Sequence, residues 1–504
     1  MAAGHEHYRW WALSCTSLGM LLAATNSGTL IIALPDLERS LHTSLLALVW
    51  VILAYLIAAT VLVLMAGRLS DLFGRKRAYV GGFIAFALAS LGAGFSPDAT
   101  VLIIWRVLQG IGSAFLFANA AALVTDAFPK EELGLAMGAN TMVAAIGLVL
   151  GPVLGGALVT ISWHWVFWFN VPLALAGAAW GATILRELSK PDTVRGYDVL
   201  GTTTFVLGLT GLVLGVSRGG LSGWHDGIVV GGLITAAVLL PAWVLIERRS
   251  RAPMLDLQIF RSRLFAAASA AAFINGLARF ALMFLFVFYY QGVQRHTPIT
   301  AGVMLMPLAL GMLIASPLAG IQADRHGSRS LAAIGMLVSA AGLAAMTTLG
   351  VHTPYWQSAL WLGMVGVGSG MFNSPNTAAM MGVVPAHRRG VAAGARTLLQ
   401  NTGAVLSIAF VLAVVTSSVP KQTLFAVFSG VSKGLSPEKL APFISNMHTA
   451  LWVLAAVSLL GTFVCLLRPR HESDEATHVH SVREVPVETG TAPAAEELVT
   501  GVSR

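Results

Sequence analysis

Charged side chains are scarce in this sequence. Asp, Glu, Lys and Arg make up 11% of its 504 residues, against about 25% in soluble domains, and the mean hydropathy is +0.76. With 56% hydrophobic residues the chain cannot present a water-compatible surface, so an ordinary soluble domain is excluded. Cysteine is nearly absent. Cys15 and Cys465 both lie inside apolar runs, so neither a disulfide framework nor a metal site follows from them, and no cofactor is implied. Alternating apolar and polar positions are missing too: the apolar runs are continuous, which excludes a membrane β-barrel and leaves helices as the way through lipid.

What is present is a series of fourteen apolar spans, about 10–34, 44–67, 78–95, 99–125, 136–160, 164–186, 199–217, 227–246, 264–291, 299–322, 330–350, 356–382, 391–416 and 448–467. Most approach or exceed the length needed to cross a bilayer. The expected fold is therefore an all-α polytopic membrane protein. The first run is too long for a signal-peptide core and is expected to remain as a membrane helix. Basic residues concentrate in alternate loops: 68–77, 186–198, 247–263, 324–329 and 387–396. The loops between, such as 35–44 and 95–100, are poor in them, and the acidic loop 128–134 is the exception on the basic side. The net charge of +8 reads as this topological signal, which puts both termini in the cytoplasm, and not as a nucleic-acid footprint.

The chain also repeats itself. GRLSDLFGRKR, Gly67 to Arg77, returns 253 residues later as GIQADRHGSR, with Gly320, Asp324, Gly327 and Arg329. FPKEELGLAMG at 128–138 aligns with VPAHRRGVAAG at 384–394 at an offset of 256. Near-equal offsets at two separate places mean two homologous six-helix halves. A nine-residue N-terminus precedes the first half, 10–190; the second half, 251–468, contains a long outside loop at 417–447. The two spans left over form a hairpin inserted at 191–250, and 469–504 reads as a polar, disordered cytoplasmic tail.

A few residues could carry chemistry. Arg106 lies about seven positions inside the fourth span, where a charged side chain costs about 3 kcal/mol on insertion scales and needs a cavity or a partner. Gln109 and Ser113 share its helix face. In the ninth span Arg279 falls near mid-membrane, one turn after Asn275, and the repeat offset sets it opposite Asn26. No Asp or Glu lies deep in any core span; Asp36, Asp126 and Glu247 sit at span ends. Gly147, Gly151 and Gly155, with Pro152, make a stripe of small residues suited to close helix packing. GVGSG at 366–370 matches the fourth-span glycines Gly110 and Gly112, and reads as packing because no strand precedes it. His448 opens the last span as an interfacial residue, and Trp163, Trp165, Trp168, Trp361 and Trp452 read mostly as belt anchors.

With these residues in view the chain resembles the major facilitator superfamily. The loop with Gly67, Asp71, Gly74 and Arg75 resembles the family's loop between helices 2 and 3, degraded in the second copy where Ser328 replaces a basic residue. The stretch from Arg106 resembles a motif associated with proton coupling, and Gly147 to Gly156 resembles the antiporter motif of exporting branches. Six plus two plus six helices resembles the 14-helix drug/proton antiporter branch. The resemblance implies that Asp71 meets the helix starting near Gly390, that Arg75 meets Asp126, and that these contacts, with Asp324 in the second copy, latch one state. TNSGTLIIALPDL departs from the branch signature: Asn26 stands where the family has an embedded acid, and Ile31 where it has Asn. The expected function is secondary export of lipophilic small molecules by a monomer in the bacterial inner membrane, with membrane lipids and protons as further partners and no enzymatic activity. Two alternatives stand beside it, a carrier of amphiphilic anions or lipids with weak or no proton coupling, and a non-transporting membrane sensor.

Topology is directly testable. Single cysteines introduced at Lys76 and Lys190 are expected to label from the cytoplasmic side, and one at Lys421 from outside. Labelling of Lys76 and Lys421 from the same face would mean that the span count between them is wrong by an odd number.

Overall fold

The computed structural model describes residues 3–43, 45–129, 132–187, 198–250, 255, 257–384, 389–416, 419 and 437–469, and every regular element among them is helical. The sequence expectations that fall on Lys190, Pro385, Lys421 with most of the 417–447 loop, and the tail from 470 lie outside these residues. In chain order the helices are α1 (Ala3–Leu41), α2 (Leu45–Phe73), α3 (Arg75–Ala93), α4 (Ala99–Ala127), α5 (Leu133–Ile161), α6 (Trp165–Trp168), α7 (Asn170–Ile184), α8 (Val199–Ser222) and α9 (Gly227–Arg249). There follow α10 (Arg263–Phe288), α11 (Pro298–Met304), α12 (Met306–His326), α13 (Ser328–Ala345), α14 (Tyr355–Gly382), α15 (Arg389–Thr416) and α16 (Pro437–Leu466). Among the described residues, eleven helical stretches are long and apolar enough to cross a membrane. Helix α3 falls short in hydropathy, opening on three basic residues, and α14 because it carries polar Asn373, Ser374, Asn376 and Thr377. The chain is an integral membrane protein.

The packing obeys the repeat. In the first half α1 lies on α5, α2 and α3 on α4, and α3 on α7; in the second, α10 lies on α15, α12 and α13 on α14, and α13 on α16. Glycines make these crossings. A Cβ on Gly110 would come within 2.7 Å of the Tyr55 carbonyl on α2, and one on Gly112 within 2.7 Å of the Phe86 amide on α3. Their counterparts Gly366 and Gly368 press in the same way on Leu308 of α12 and Gly335 of α13. Gly74 and Gly327, 253 positions apart, both take positive φ, 101° and 85°, as the chain turns directly from one helix into the next. Only glycine reaches that conformation cheaply.

The halves meet through α5 against α11 and α12, and through α2 against α15. These contacts are reciprocal. Gly138 on α5 rests on Ser316 and Pro317 of α12, and Gly394 on α15 rests on Val63 and Leu64 of α2; each of these targets is again displaced by 253. The α8–α9 hairpin breaks the symmetry. Helix α8 packs on both α2 and α15, covering that seam, while α9 turns Ile228, Ile234, Val238 and Leu245 outward.

Three expectations need correction. Helix α16 begins at Pro437, so the end of the expected outside loop is helical, driven by burial of Leu440, Phe443, Ile444 and Met447. His448 therefore sits within the helix and contacts the Leu349 carbonyl at 2.6 Å. The tenth span itself stands at Ile299–Ala323, with a one-residue turn at Leu305 just ahead of Pro307. Trp163 is buried and stacks on His164 at 3.9 Å instead of anchoring at the surface. Helix α15 starts at Arg389, so the expected span from 391 keeps Arg396 and the basic loop does not extend to it.

The glycine crossings predict a sharp contrast. Gly151→Leu forces a side chain into backbone of α1 and is expected to cost about 3 kcal/mol, the upper end for overpacking. Gly231→Ala on α9, where a Cβ meets nothing within 4 Å, is expected to leave stability unchanged or improve it by up to about 1 kcal/mol. Thermal unfolding of the purified proteins in detergent distinguishes the two.

Candidate functional site

Helices α1, α2, α4 and α5 of one half and α10, α12, α14 and α15 of the other surround a cavity of about 220 Å³. Its wall is mostly apolar, with Met20, Ile31, Tyr55 and Phe117 facing Phe280, Met283, Phe284 and Met312. Three arginines line it, Arg106, Arg279 and Arg396, together with Asn140, Asn373, Gln400 and Asn401. No Asp or Glu is among the described residues lining it.

Arg106 is 1% exposed, and every partner the structure gives it is neutral. Its Nε donates to the Val51 carbonyl at 3.0 Å, and one terminal nitrogen donates to Gln109 Oε1 and to Asn26 Oδ1 at 3.4 Å. The guanidinium lies 4.3 Å from the centre of the Tyr55 ring, a favourable placement for a cation. Gln109 passes the network on, its Nε2 donating to Ser90 Oγ at 2.7 Å and to Asn26 Oδ1 at 3.2 Å. Asn170 adds a third, longer donor to the same oxygen at 3.5 Å. The structure thus brings Asn26, Arg106 and Gln109 together, with Asn26 itself behind the cavity wall. Ser113, on the Arg106 face, reaches the Tyr55 hydroxyl at 2.8 Å. The parts invisible to sequence are the Val51 carbonyl, Ser90 and Asn170, which come from other helices.

In the second half Arg279 is half-buried at the cavity wall. One terminal nitrogen approaches Met312 Sδ at 3.8 Å, the guanidinium lies 5.5 Å from the Phe280 ring, and Nε has no acceptor among the described residues. Asn275, one turn earlier, is buried away from the cavity and directs Nδ2 to Met336 Sδ at 3.5 Å. Arg396 is the residue that sequence reasoning missed. It donates to Gln400 Oε1 at 3.0 Å, and Gln400 in turn donates to Asn373 Oδ1 at 3.2 Å. The repeat was the available signal: at the offset of 256, Arg396 falls opposite Asn140, and both line the cavity.

A second cluster sits at the α2–α3 turn. Arg75 Nε donates to Asp71 Oδ1 at 3.0 Å, and a terminal nitrogen reaches Asp126 Oδ2 at the end of α4. Burial works against the Arg75 charge, but the two carboxylates outweigh it and raise its pKa above the ordinary arginine value. Glu187 accepts from the backbone amides of Arg75 at 2.8 Å and Lys76 at 3.2 Å, placing an anion on the positive end of α3. The second oxygen of Asp71 is buried with no hydrogen-bond partner among the described residues, and side chains at the start of α15, near Gly390, lie outside those residues. Gly67 is buried and Asp324 belongs to α12, its side chain outside the description. Away from both clusters, Gly147, Gly151 and Gly155 press α5 onto α1 at Leu21, Thr25, Gly28 and Thr29. Pro152 meets Gly28 on that side and Gly302 of α11 on the other.

Comparison with known proteins agrees with this architecture. A family model described as the Major Facilitator Superfamily matches residues 16–408 and again 268–499. The tetracenomycin C resistance and export protein of Streptomyces glaucescens is 28% identical over 97% of this chain and 96% of its own length. The multidrug resistance protein Stp of Mycobacterium tuberculosis is 33% identical over 79% of this chain and 74% of its own. A solved human organic anion transporter superposes with a TM-score of 0.64 over 91% of this chain and 99% of that one. Its 14% identity makes that a likeness of fold alone.

Asp126→Asn leaves Arg75 with a neutral acceptor in place of a carboxylate, and is expected to lower stability by about 1–3 kcal/mol. Glu187→Gln, which still offers an acceptor to the α3 amides, is expected to cost less. Unfolding temperatures of the purified variants give the ranking.

Proposed function

The chain belongs to the Major Facilitator Superfamily, a transporter and not an enzyme, and from that premise we propose that it exports lipophilic small molecules. The observation that carries the reading is the cavity lined by both halves: a largely apolar wall with a few polar groups suits a lipophilic cargo, and two bodies hinged around it suit alternating access. The direction of transport rests on the relatives, one described as a resistance and export protein and another as a multidrug resistance protein. We place fourteen helices in a bacterial plasma membrane, with both termini cytoplasmic and the protein a monomer. In this reading the cluster of Gly67, Asp71, Gly74, Arg75 and Asp126, echoed by Asp324, is a conformational latch. Closing the halves on the basic-loop side would bring the amino end of α15 to the free oxygen of Asp71, an anion against a helix N-terminus. The α5 stripe of Gly147, Gly151 and Gly155 fixes α5 on α1, and Pro152 sets it against α11 at the seam between the halves.

A specific observation favours weak proton coupling. A carrier that exchanges protons needs a group that titrates in its pathway, commonly a carboxylate whose pKa burial has raised. Here Asn26 holds that place, hydrogen-bonded to Gln109 and Arg106, and amide groups do not titrate.

Transport of a fluorescent lipophile in proteoliposomes, with and without an imposed pH gradient, tests both statements. The unmodified protein is expected to move the dye with less than about twofold dependence on the gradient, and Asn26→Asp to introduce dependence by supplying the missing carboxylate. Robust gradient-driven efflux by the unmodified protein would overturn the coupling reading. Absence of transport of any lipophile would overturn the exporter.

A further inference from the structure

Three guanidinium groups border one cavity, and no acid accompanies them among the described lining residues. Their roles divide. Arg106 is sealed from solvent and engaged by Val51, Gln109, Asn26 and the Tyr55 ring. Arg279 and Arg396 are half-buried at the wall, and in each the Nε has no acceptor among the described residues. The partners that the geometry gives them are weak for their charge: a thioether for Arg279 and a side-chain amide for Arg396. The two helices that carry them touch. A Cβ on Gly276 of α10 would collide with the Gln400 carbonyl of α15, and the helices run in the same direction, since Ala281 meets Ser407 further along. Arg279 and Arg396 therefore lie one turn to either side of this crossing, roughly 10 Å apart along the axis.

We propose that the cavity binds an amphiphilic organic anion, with Arg279 and Arg396 receiving its carboxylate, sulfonate or phosphate and the apolar wall receiving its body. This rests on the exporter reading and names its substrate class. A desolvated cation without a counter-charge is costly, and an anion entering a cavity bordered by both lowers that cost. Guanidinium is also the side chain suited to planar, paired recognition of an oxyanion. A cationic lipophile meets the reverse: it must bring a charge toward three fixed positive groups across a medium of low dielectric. Phe280, Phe284, Met283 and Met312 stand next to the charged pair, so that head and tail of one small molecule are served by neighbouring residues.

The test is titration calorimetry on the full-length protein in a neutral maltoside detergent, with micelle-only blanks, using three matched probes: a naphthalene sulfonate, its neutral sulfonamide and a naphthyl trimethylammonium. The sulfonate is expected to bind at least about tenfold tighter than the ammonium, and to weaken as salt rises. R279Q and R396Q are each expected to lower sulfonate affinity by about tenfold while leaving the sulfonamide within about twofold. R218Q, on the hairpin outside the cavity, is expected to change neither. Equal or tighter binding of the ammonium, no saturable binding of any probe, or equal losses for all probes in the variants would overturn the proposal. Should R279Q fold poorly by gel filtration, R396Q and the salt series on the unmodified protein decide alone. Repeating the titration in nanodiscs of neutral lipid and of phosphatidylglycerol separates the sources of the anion: loss of sulfonate binding in the acidic lipid, competitive in character, assigns the site to a lipid headgroup, and unchanged binding to a free solute. Anion-selective binding without transport sinks the exporter and keeps the anion site; transport without anion preference does the reverse.

Discussion

Close approach of helix backbones is the constraint on which this structure depends. In lipid every helix already satisfies its own amides, and apolar side chains gain little by leaving lipid tails for one another, so tight packing must hold the bundle together. The crossings are made where glycine lets one helix lie on another's carbonyls, at Gly110 and Gly112 in one half and Gly366 and Gly368 in the other. The same device joins the halves at Gly138 and Gly394. Because the contacts are backbone to backbone, side chains at those levels are free to be polar and to line a cavity.

Charge is arranged around that frame in two different ways. At the α2–α3 turn Arg75 is compensated by Asp71 and Asp126, so the cluster is tight and contributes to cohesion. Inside the bundle the partners of Arg106 among the described residues are neutral oxygens and an aromatic face, and its charge therefore remains available to the cavity field. A low-dielectric wall preserves such a field where water would screen it.

The two halves are alike in packing and unlike in chemistry. At the repeat offsets Asn26 answers to Arg279, Asn140 to Arg396, and Arg106 to Leu362. The second half has thus gained two cations at positions where the first half has amides. The hairpin adds a further asymmetry, lying over the α2–α15 seam and leaving the α5–α12 seam without it. Symmetric packing makes the frame, and the unsymmetric side chains set what lines the cavity.

Much of this was legible in the sequence. Apolar runs, the two repeat offsets, the basic loops and the Arg106–Gln109 spacing are local or periodic features, so they can be read along a single strand of text. Helix α16 was read too short because its first turns, from Pro437, are amphipathic and polar by composition, and only contact with the rest of the bundle made their apolar face buried. Arg396 was missed as a cavity residue for a related reason: it fell where the basic loop 387–396 overlaps the span from 391, its charge matched the loop, and nothing nearby in sequence says that it faces a cavity. Asn275 shared a face with Arg279 on paper, yet packing against Met336 of α13 turned it away. Composition and periodicity by themselves determined the membrane class, the helices and the doubled architecture. The scarcity of acids in the core spans was legible too, but which side chains meet in the cavity was decided by tertiary structure, because its lining is drawn from eight helices far apart in the chain.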